Sequence, residues 1–199
     1  MFKRIAGIGA AVMVIAAIVV GAGRAADLSQ AVILVASPKL AGSPFEQTVV
    51  LAAPLPEGGH VGFIVNRPTT VRLETLLADE SPARNVKEPV YYGGPELTRG
   101  VFALMRSAPE GAGSTVALVP GIVAVLDEAT IGHVIETTPD AARYFVGMMV
   151  WEPDQLADQV TDGLWDLRPA DGDSVLPANA SRLWFRLRGP SASAGALSL

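Results

Sequence analysis

The residues best suited to bind a ligand lie in the turn Asn66-Arg67-Pro68, which ends the apolar run 61–65. Asparagine tolerates left-handed backbone geometry and can brace a turn with its carboxamide. An arginine guanidinium can hold a carboxylate or a phosphate through two parallel hydrogen bonds. The turn therefore predicts a ligand site at Asn66 and Arg67. The alternative interpretation is that Asn66 braces the loop and that Arg67 is solvated.

Two further motifs could complete that site. Gly93-Gly94-Pro95 follows a short apolar run, and Gln155 follows Trp151 by four positions. A phosphate-binding glycine loop also needs a lysine and a following helix, so the glycine motif alone favours a tight turn with positive φ angles. Trp151 is either a platform for a ligand or an anchor in the core. We expect Gly93, Gly94, Trp151 and Gln155 to bind a ligand only if they lie beside the Asn66-Arg67 turn.

The sequence shows no catalytic constellation. Cysteine is absent and only two histidines occur, which excludes thiolate nucleophiles, cysteine metal sites and histidine-rich metal sites. His60 is expected in an exposed turn, and His133 in a helix, as a surface or a packing residue. Ser37 precedes a proline and lacks the Gly-x-Ser-x-Gly elbow of many hydrolases, which favours a turn residue. Asp171-Gly172-Asp173 lacks the later ligands of a calcium loop. No catalytic residue, metal or cofactor is therefore predicted.

The first residues have the three-part layout of an export signal. Lys3 and Arg4 precede the uncharged apolar stretch 5–23, and the small residues of Gly23-Arg24-Ala25 follow. Residues 1–25 are therefore either a cleaved signal peptide or an uncleaved membrane anchor, since the stretch is just long enough to span a bilayer. Both alternatives predict a body that faces the periplasm, with membrane contact only through this segment.

The rest of the chain predicts one α+β domain over 27–189, with a mainly antiparallel sheet, followed by a disordered tail over 190–199. Apolar runs bounded by proline and glycine predict strands at 31–36, 48–53, 61–65, 90–92, 101–105, 116–119, 122–126 and 144–150. Helical spacing and capping residues predict helices at 71–77, from Asp127 to about 136, from Thr138-Pro139, from Pro153 and over 179–188. Residues 167–173 are expected to form a polar loop.

In their order along the chain, these landmarks resemble the AlgH/YqgE family of bacterial proteins. The resemblance rests on 33–38, Phe45, Val49-Val50, 62–68, 93–95, 101–105, 143–151, Gln155-Leu156, Trp165, Trp184 and Gly189. It implies a strongly bent sheet that forms a pseudo-barrel with flanking helices. It implies no known activity, although a member has been linked to transcriptional control of alginate production. The export segment, Gly42-Ser43-Pro44 and Gln47-Thr48 depart from the family's pattern.

These observations together predict an exported or membrane-tethered protein with a non-enzymatic binding, interaction or regulatory role. A net charge of −5 argues against general affinity for nucleic acid, which needs a basic face. An exported copy also does not meet chromosomal DNA, so the transcriptional role does not transfer readily. The expected partner is a protein or a small molecule. The alternative is a small-molecule or nucleotide-handling enzyme that uses the Asn66-Arg67 turn.

Overall fold

A computed structural model describes residues 27–77, 81–111, 113 and 115–189. The predicted export segment 1–25 and the predicted tail 190–199 lie outside the described residues. Within the described ranges, no helix combines the length and the apolar character that crossing a membrane requires.

Nine strands form one sheet in the described part of the chain. Most are rich in β-branched and aromatic side chains, which suit a pleated and partly buried surface. The strands are β1 Val32–Ala36, β2 Val49–Pro54, β3 His60–Ile64, β4 Tyr91–Tyr92, β5 Glu96–Met105, β6 Thr115–Val119, β7 Ile122–Val125, β8 Ala142–Trp151 and β9 Trp165–Pro169. They lie in the order β6-β7-β5-β8-β3-β2-β1-β9, and each neighbouring pair is antiparallel. β4 lies off this path and pairs in parallel with β8.

The sheet curls around its own hydrophobic core. Alternate side chains of β1 and β2, among them Ile33 and Leu51, share one buried cluster with Phe63 of β3. Ile122 of β7 belongs to the same cluster, although β7 and β1 lie near opposite ends of the strand order. Such contact requires a strongly bent sheet. The predicted α+β class and mainly antiparallel, strongly bent sheet are therefore confirmed, and the curled sheet forms a half-barrel.

The α-helices of the described residues are short. They are α1 Leu73–Leu76, α2 Glu128–Thr137, α3 Gln155–Thr161, α4 Gly172–Val175 and α5 Leu183–Arg188. Short 3-10 helices occur at Pro38–Leu40, Ser81–Asn85, Pro139–Ala141 and Ala180–Arg182. α2 begins after the predicted cap, since the Asp127 carboxylate accepts a hydrogen bond of 2.9 Å from the Thr130 amide.

Two helices cover the convex face of the sheet. α3 places Leu156 against the cluster that holds Trp151 and Trp165, over β1, β2 and β3. α2 places Ile131 and Ile135 against a third cluster, formed with residues of β5, β7 and β8. Each of these fully buried aliphatic side chains contributes roughly 1.5–3 kcal/mol through area removed from water. Because both sides of the sheet are packed in this way, the loops that emerge from it have fixed positions.

Two of the predicted secondary-structure assignments are wrong. The predicted polar loop at 167–173 contains most of β9, which pairs with β1 along its whole length. β9 is an edge strand in which only Trp165 is buried, and Asp166 and Arg168 give it a polar composition. The helix predicted from Thr138-Pro139 is only the 3-10 turn Pro139–Ala141, because strand β8 starts at the next residue.

Candidate functional site

The Asn66 carboxamide fastens the end of β3 to the chain before β2. Its side chain is 7% exposed. Oδ1 accepts a hydrogen bond of 2.8 Å from the Val49 amide, and Nδ2 donates one of 2.9 Å to the Gln47 carbonyl. Gln47 has a φ of 56°, in the left-handed region that a residue with a Cβ rarely adopts. The carboxamide thus holds a strained backbone, which matches the bracing interpretation.

The Arg67 guanidinium spans the same loop. Nη1 donates to the Pro44 carbonyl, and Nη2 donates to the Glu46 carbonyl at 2.8 Å. The Arg67 carbonyl in turn accepts a hydrogen bond of 2.9 Å from the Tyr92 amide. The side chain is therefore held against the protein rather than solvated, and its positive charge has a fixed position. A guanidinium carries five N–H groups, so others remain for a ligand.

Asn66 and Arg67 line an open groove of about 500 Å³. Its other lining residues are Glu46, Gln47, Pro68, Thr69, Tyr92 and Ser181. The Thr69 hydroxyl is already engaged, since it donates to the Val90 carbonyl at 2.7 Å and accepts from the Val71 amide at 3.0 Å. Exposed Ser181 comes from the 3-10 turn before α5, far along the chain. The groove is therefore polar and is built by four separate segments of the chain.

Gly93 and Gly94 lie in the sheet rather than along the groove. The Gly93 carbonyl accepts from the Ile64 amide at 2.8 Å, and its amide donates to the Val146 carbonyl at 2.8 Å. A Cβ at Gly94 would lie 2.2 Å from the carbonyl carbon of Met148. The motif is thus a place where the link between β4 and β5 crosses the backbone of β8, an approach that only glycine permits.

Trp151 is a core anchor, with 2% of its surface exposed. Its indole Nε1 donates to Oε1 of Gln159 at 3.0 Å, and Nε1 of Trp165 donates to the same oxygen at 2.9 Å. Gln155 is exposed, and its Oε1 accepts from the Glu152 amide at 3.0 Å beside the start of α3. Neither Trp151 nor Gln155 is among the described residues that line the groove. The fold therefore gathers only Asn66 and Arg67 of the six expected ligand residues.

Sequence reasoning missed the residues that come from elsewhere in the fold. Tyr92 and Ser181 enter the groove only because β4 and the turn before α5 are folded onto the β3 end. Gln159 could have been found, since it lies one helical turn after Gln155 on the same face of α3. Its role as a shared acceptor depends on the position of β9, which the sequence did not reveal.

The histidines and Ser37 have structural surroundings. The expectation of an exposed turn is wrong for His60. It begins β3, and its Nε2 lies 3.0 Å from the Leu28 carbonyl oxygen. His133 lies in helix α2, as predicted, and is exposed, which selects the surface alternative. The Ser37 hydroxyl donates to the Gly163 carbonyl at 2.7 Å and accepts from an amide in its own turn, which confirms a turn residue. In the described ranges, no three His, Asp or Glu side chains converge as metal ligands.

The comparisons with known proteins agree on one family. The AlgH-like family model matches residues 33–188. A UPF0301 protein of Streptomyces coelicolor is 31% identical over 159 residues, which cover 76% of this chain and 81% of the relative. A UPF0301 protein of Chlorobaculum parvum is 27% identical over 157 residues, covering 77% and 82%.

Solved structures show the same architecture. The solution structure of the AlgH protein from Pseudomonas aeruginosa matches with a TM-score of 0.64 and 26% identity, covering 76% of this chain and 82% of that one. A crystal structure of a protein from Corynebacterium diphtheriae matches with a TM-score of 0.65 and covers 85% and 91%. At 21% identity, that match indicates the fold alone.

The curled antiparallel sheet with helices on its convex face defines a class of bacterial α+β proteins without an established activity. Within that class, the chain belongs to the AlgH-like family. The resemblance seen in the sequence is confirmed.

Proposed function

We propose that this chain is a non-enzymatic binding protein and that the groove beside Asn66 and Arg67 contacts its partner. One observation supports the proposal most: both side chains are spent on backbone groups of the loop 44–49. Both side chains are held in place by these bonds, and neither a carboxamide nor a guanidinium is a good acid, base or nucleophile near neutral pH. They are well suited to hold a surface in one shape, which lowers the entropic cost of binding.

The groove suits a segment of another polypeptide. It is open, whereas sites for small molecules are usually enclosed and mostly apolar. Arg67 presents a fixed positive charge, so an acidic side chain is the natural contact on the partner. Glu46 turns its carboxylate back onto the Gly42 amide at 2.8 Å, which limits its repulsion of such a group.

Steric block of the groove tests the proposal. Ser181→Trp fills the groove from an exposed position without touching the Asn66 brace, and Arg186→Trp adds the same bulk on the exposed face of α5. Affinity purification from envelope extract should recover one defined partner with the wild type and Arg186→Trp, and lose it with Ser181→Trp. Equal recovery with all three proteins argues against the groove. A metabolite that raises the melting temperature and is turned over points instead to the small-molecule enzyme.

The binding partner is expected in the cell envelope, since we propose that residues 1–25 export or tether the body. The support is the basic start at Lys3 and Arg4, the apolar stretch 5–23 and the small residues before Ala26. Cell fractionation with N-terminal sequencing checks this: a mature chain that begins at Ala26 in the periplasm indicates cleavage, and an intact chain in the membrane indicates an anchor. Recovery of the intact chain from the cytosol rules out both.

A further inference from the structure

Arg143 of β8 carries its charge into the protein interior. Its side chain is 8% exposed. The guanidinium carbon lies 4.6 Å from the centre of the Tyr91 ring, so a cation–π contact covers one face. Burial and the nearby Glu88 charge raise the pKa of the Tyr91 hydroxyl, although Arg143 opposes them, so the ring stays neutral. A charge buried this deeply is costly unless each of its donors has an acceptor.

The donors of Arg143 are not all satisfied. Nε donates to Oε2 of Glu88 at 2.9 Å, and Nη2 donates to Oε1 of Glu88 and to the Pro177 carbonyl, both at 3.2 Å. Nη1 is buried and has no hydrogen-bond partner among the described residues. Native proteins rarely leave such a group unpaired. The best acceptor for a guanidinium N–H is an anionic oxygen.

Arg143 also lines a cavity of about 570 Å³, a volume typical of small-molecule sites. Lys87 and Arg106 line it too, together with Glu88 and Asp140, so basic side chains outnumber acidic ones. Lys87 Nζ lies 3.0 Å from Asp140, and its side chain is 84% exposed. An exposed lysine of this kind can turn towards a bound anion at little cost, because its present ion pair is weak.

Glu88 occupies the place that a ligand would take. Its carboxylate holds the Nε and Nη2 edge of Arg143 in a two-point contact, the arrangement that an incoming carboxylate or phosphate would make. The Glu88 side chain is 53% exposed, whereas its partner is buried. The Glu88 side chain can therefore rotate into solvent, and another anion can then pair with the guanidinium.

We propose that this cavity binds a small molecule through a carboxylate or phosphate group. That anionic group displaces Glu88 from Arg143 and forms an ion pair with Lys87 at the mouth of the cavity. The site is separate from the groove at Asn66 and Arg67, since the two sets of lining residues share no member. A negative result for the anion site would therefore not argue against the groove as the partner surface.

Binding of simple anions tests the site. The purified protein is titrated with inorganic phosphate and, separately, with citrate, at an ionic strength held constant with sodium chloride. The rise in melting temperature and the heat of binding are measured. A saturable response to phosphate alone indicates a phosphate ligand, and one to citrate alone indicates a carboxylate ligand. Either response supports the site if the variants behave as follows.

Glu88→Gln keeps the shape of the side chain and removes the competing charge, so it should bind the active probe up to about fivefold more tightly. Lys87→Gln should bind it more weakly. Arg186→Gln, an exposed arginine on α5 outside the cavity lining, is the matched control and should bind as the wild type does. None of these variants removes the buried guanidinium, and a melting curve of each variant without probe checks that it is folded before binding is compared.

Two results overturn the proposal. One is the absence of a saturable response to either probe in both the wild type and Glu88→Gln. The other is a response of equal strength in all four proteins, which indicates non-specific anion binding. A purely structural role for Arg143 predicts that Glu88→Gln lowers the melting temperature without creating or tightening any response.

Discussion

Gln159 makes a sharp prediction because one oxygen serves two buried donors. Gln159→Leu keeps most of the volume and removes the acceptor of Trp151 and Trp165, which are 2% and 4% exposed. Each indole N–H left without a partner costs about 1–3 kcal/mol. Gln159 itself is only half-buried, so water can reach part of the gap. We therefore expect a loss of about 2–4 kcal/mol in the free energy of unfolding.

Urea unfolding followed by far-ultraviolet circular dichroism measures that loss. At a typical slope of about 2 kcal/mol per molar urea, the midpoint should fall by about 1–2 M. Gln159→Glu keeps an acceptor oxygen and should stay within about 1 kcal/mol of the wild type. Gln155→Leu, on the same helix, removes one exposed hydrogen bond and should cost about 0.5–1 kcal/mol. If Gln159→Leu is no worse than Gln155→Leu, the shared acceptor has no structural role and the reasoning is wrong.

Four other perturbations test the same account. Asn66→Ala leaves the buried Val49 amide and the Gln47 carbonyl without partners, and chemical denaturation should show a loss of about 2–3 kcal/mol; a loss below about 0.5 kcal/mol contradicts the brace. Gly147→Ala places a Cβ 2.2 Å from the Gly94 carbonyl oxygen, whereas Gly121→Ala meets nothing within 4 Å at a similarly positive φ. Thermal melts should show that Gly147→Ala costs about 3 kcal/mol or more of stability and Gly121→Ala about 1 kcal/mol. Burial, together with the negative charge of Asp140, raises the pKa of the Tyr144 hydroxyl in the folded protein. The same hydroxyl in the unfolded chain loses its proton at a lower pH, so the free energy of unfolding should fall as the pH rises above about 10. Tyr144→Phe should make that fall shallower in urea titrations across the alkaline range, and an unchanged slope rules this cause out. If 27–189 is one domain, calorimetry should give equal calorimetric and van't Hoff enthalpies, while two separable transitions contradict it.

Much of the fold could be predicted because its strands are short apolar runs between prolines and glycines. The hairpin of β2 and β3 and the cap of α2 at Asp127 are local features of this kind. β9 could not be predicted, since Trp165 is its only buried residue and the strand is not a continuous apolar run. Its register, with Asp166 opposite Val35, depends on a pairing between distant parts of the chain. Local patterns do not contain that information.

The same distinction applies to the sites. Asn66 and Arg67 could be singled out because the turn that holds them is distinctive, although their partners in residues 44–49 lie elsewhere in the sequence. Arg143 and Glu88 are 55 residues apart, and nothing in the sequence around either indicates that they meet. The burial of Arg143 and its unpaired Nη1 follow only from the way β4, β8 and the segment before α5 pack together.

Photo-crosslinking in living cells tests most directly whether the groove meets a partner. A photoreactive amino acid replaces Ser181 at the groove, and in a second strain it replaces Arg186 on the exposed face of α5. We expect a defined adduct with a second polypeptide from position 181 and none from position 186. A folded protein that gives no adduct at 181, or the same adducts at both positions, contradicts the assignment of the groove as the partner surface.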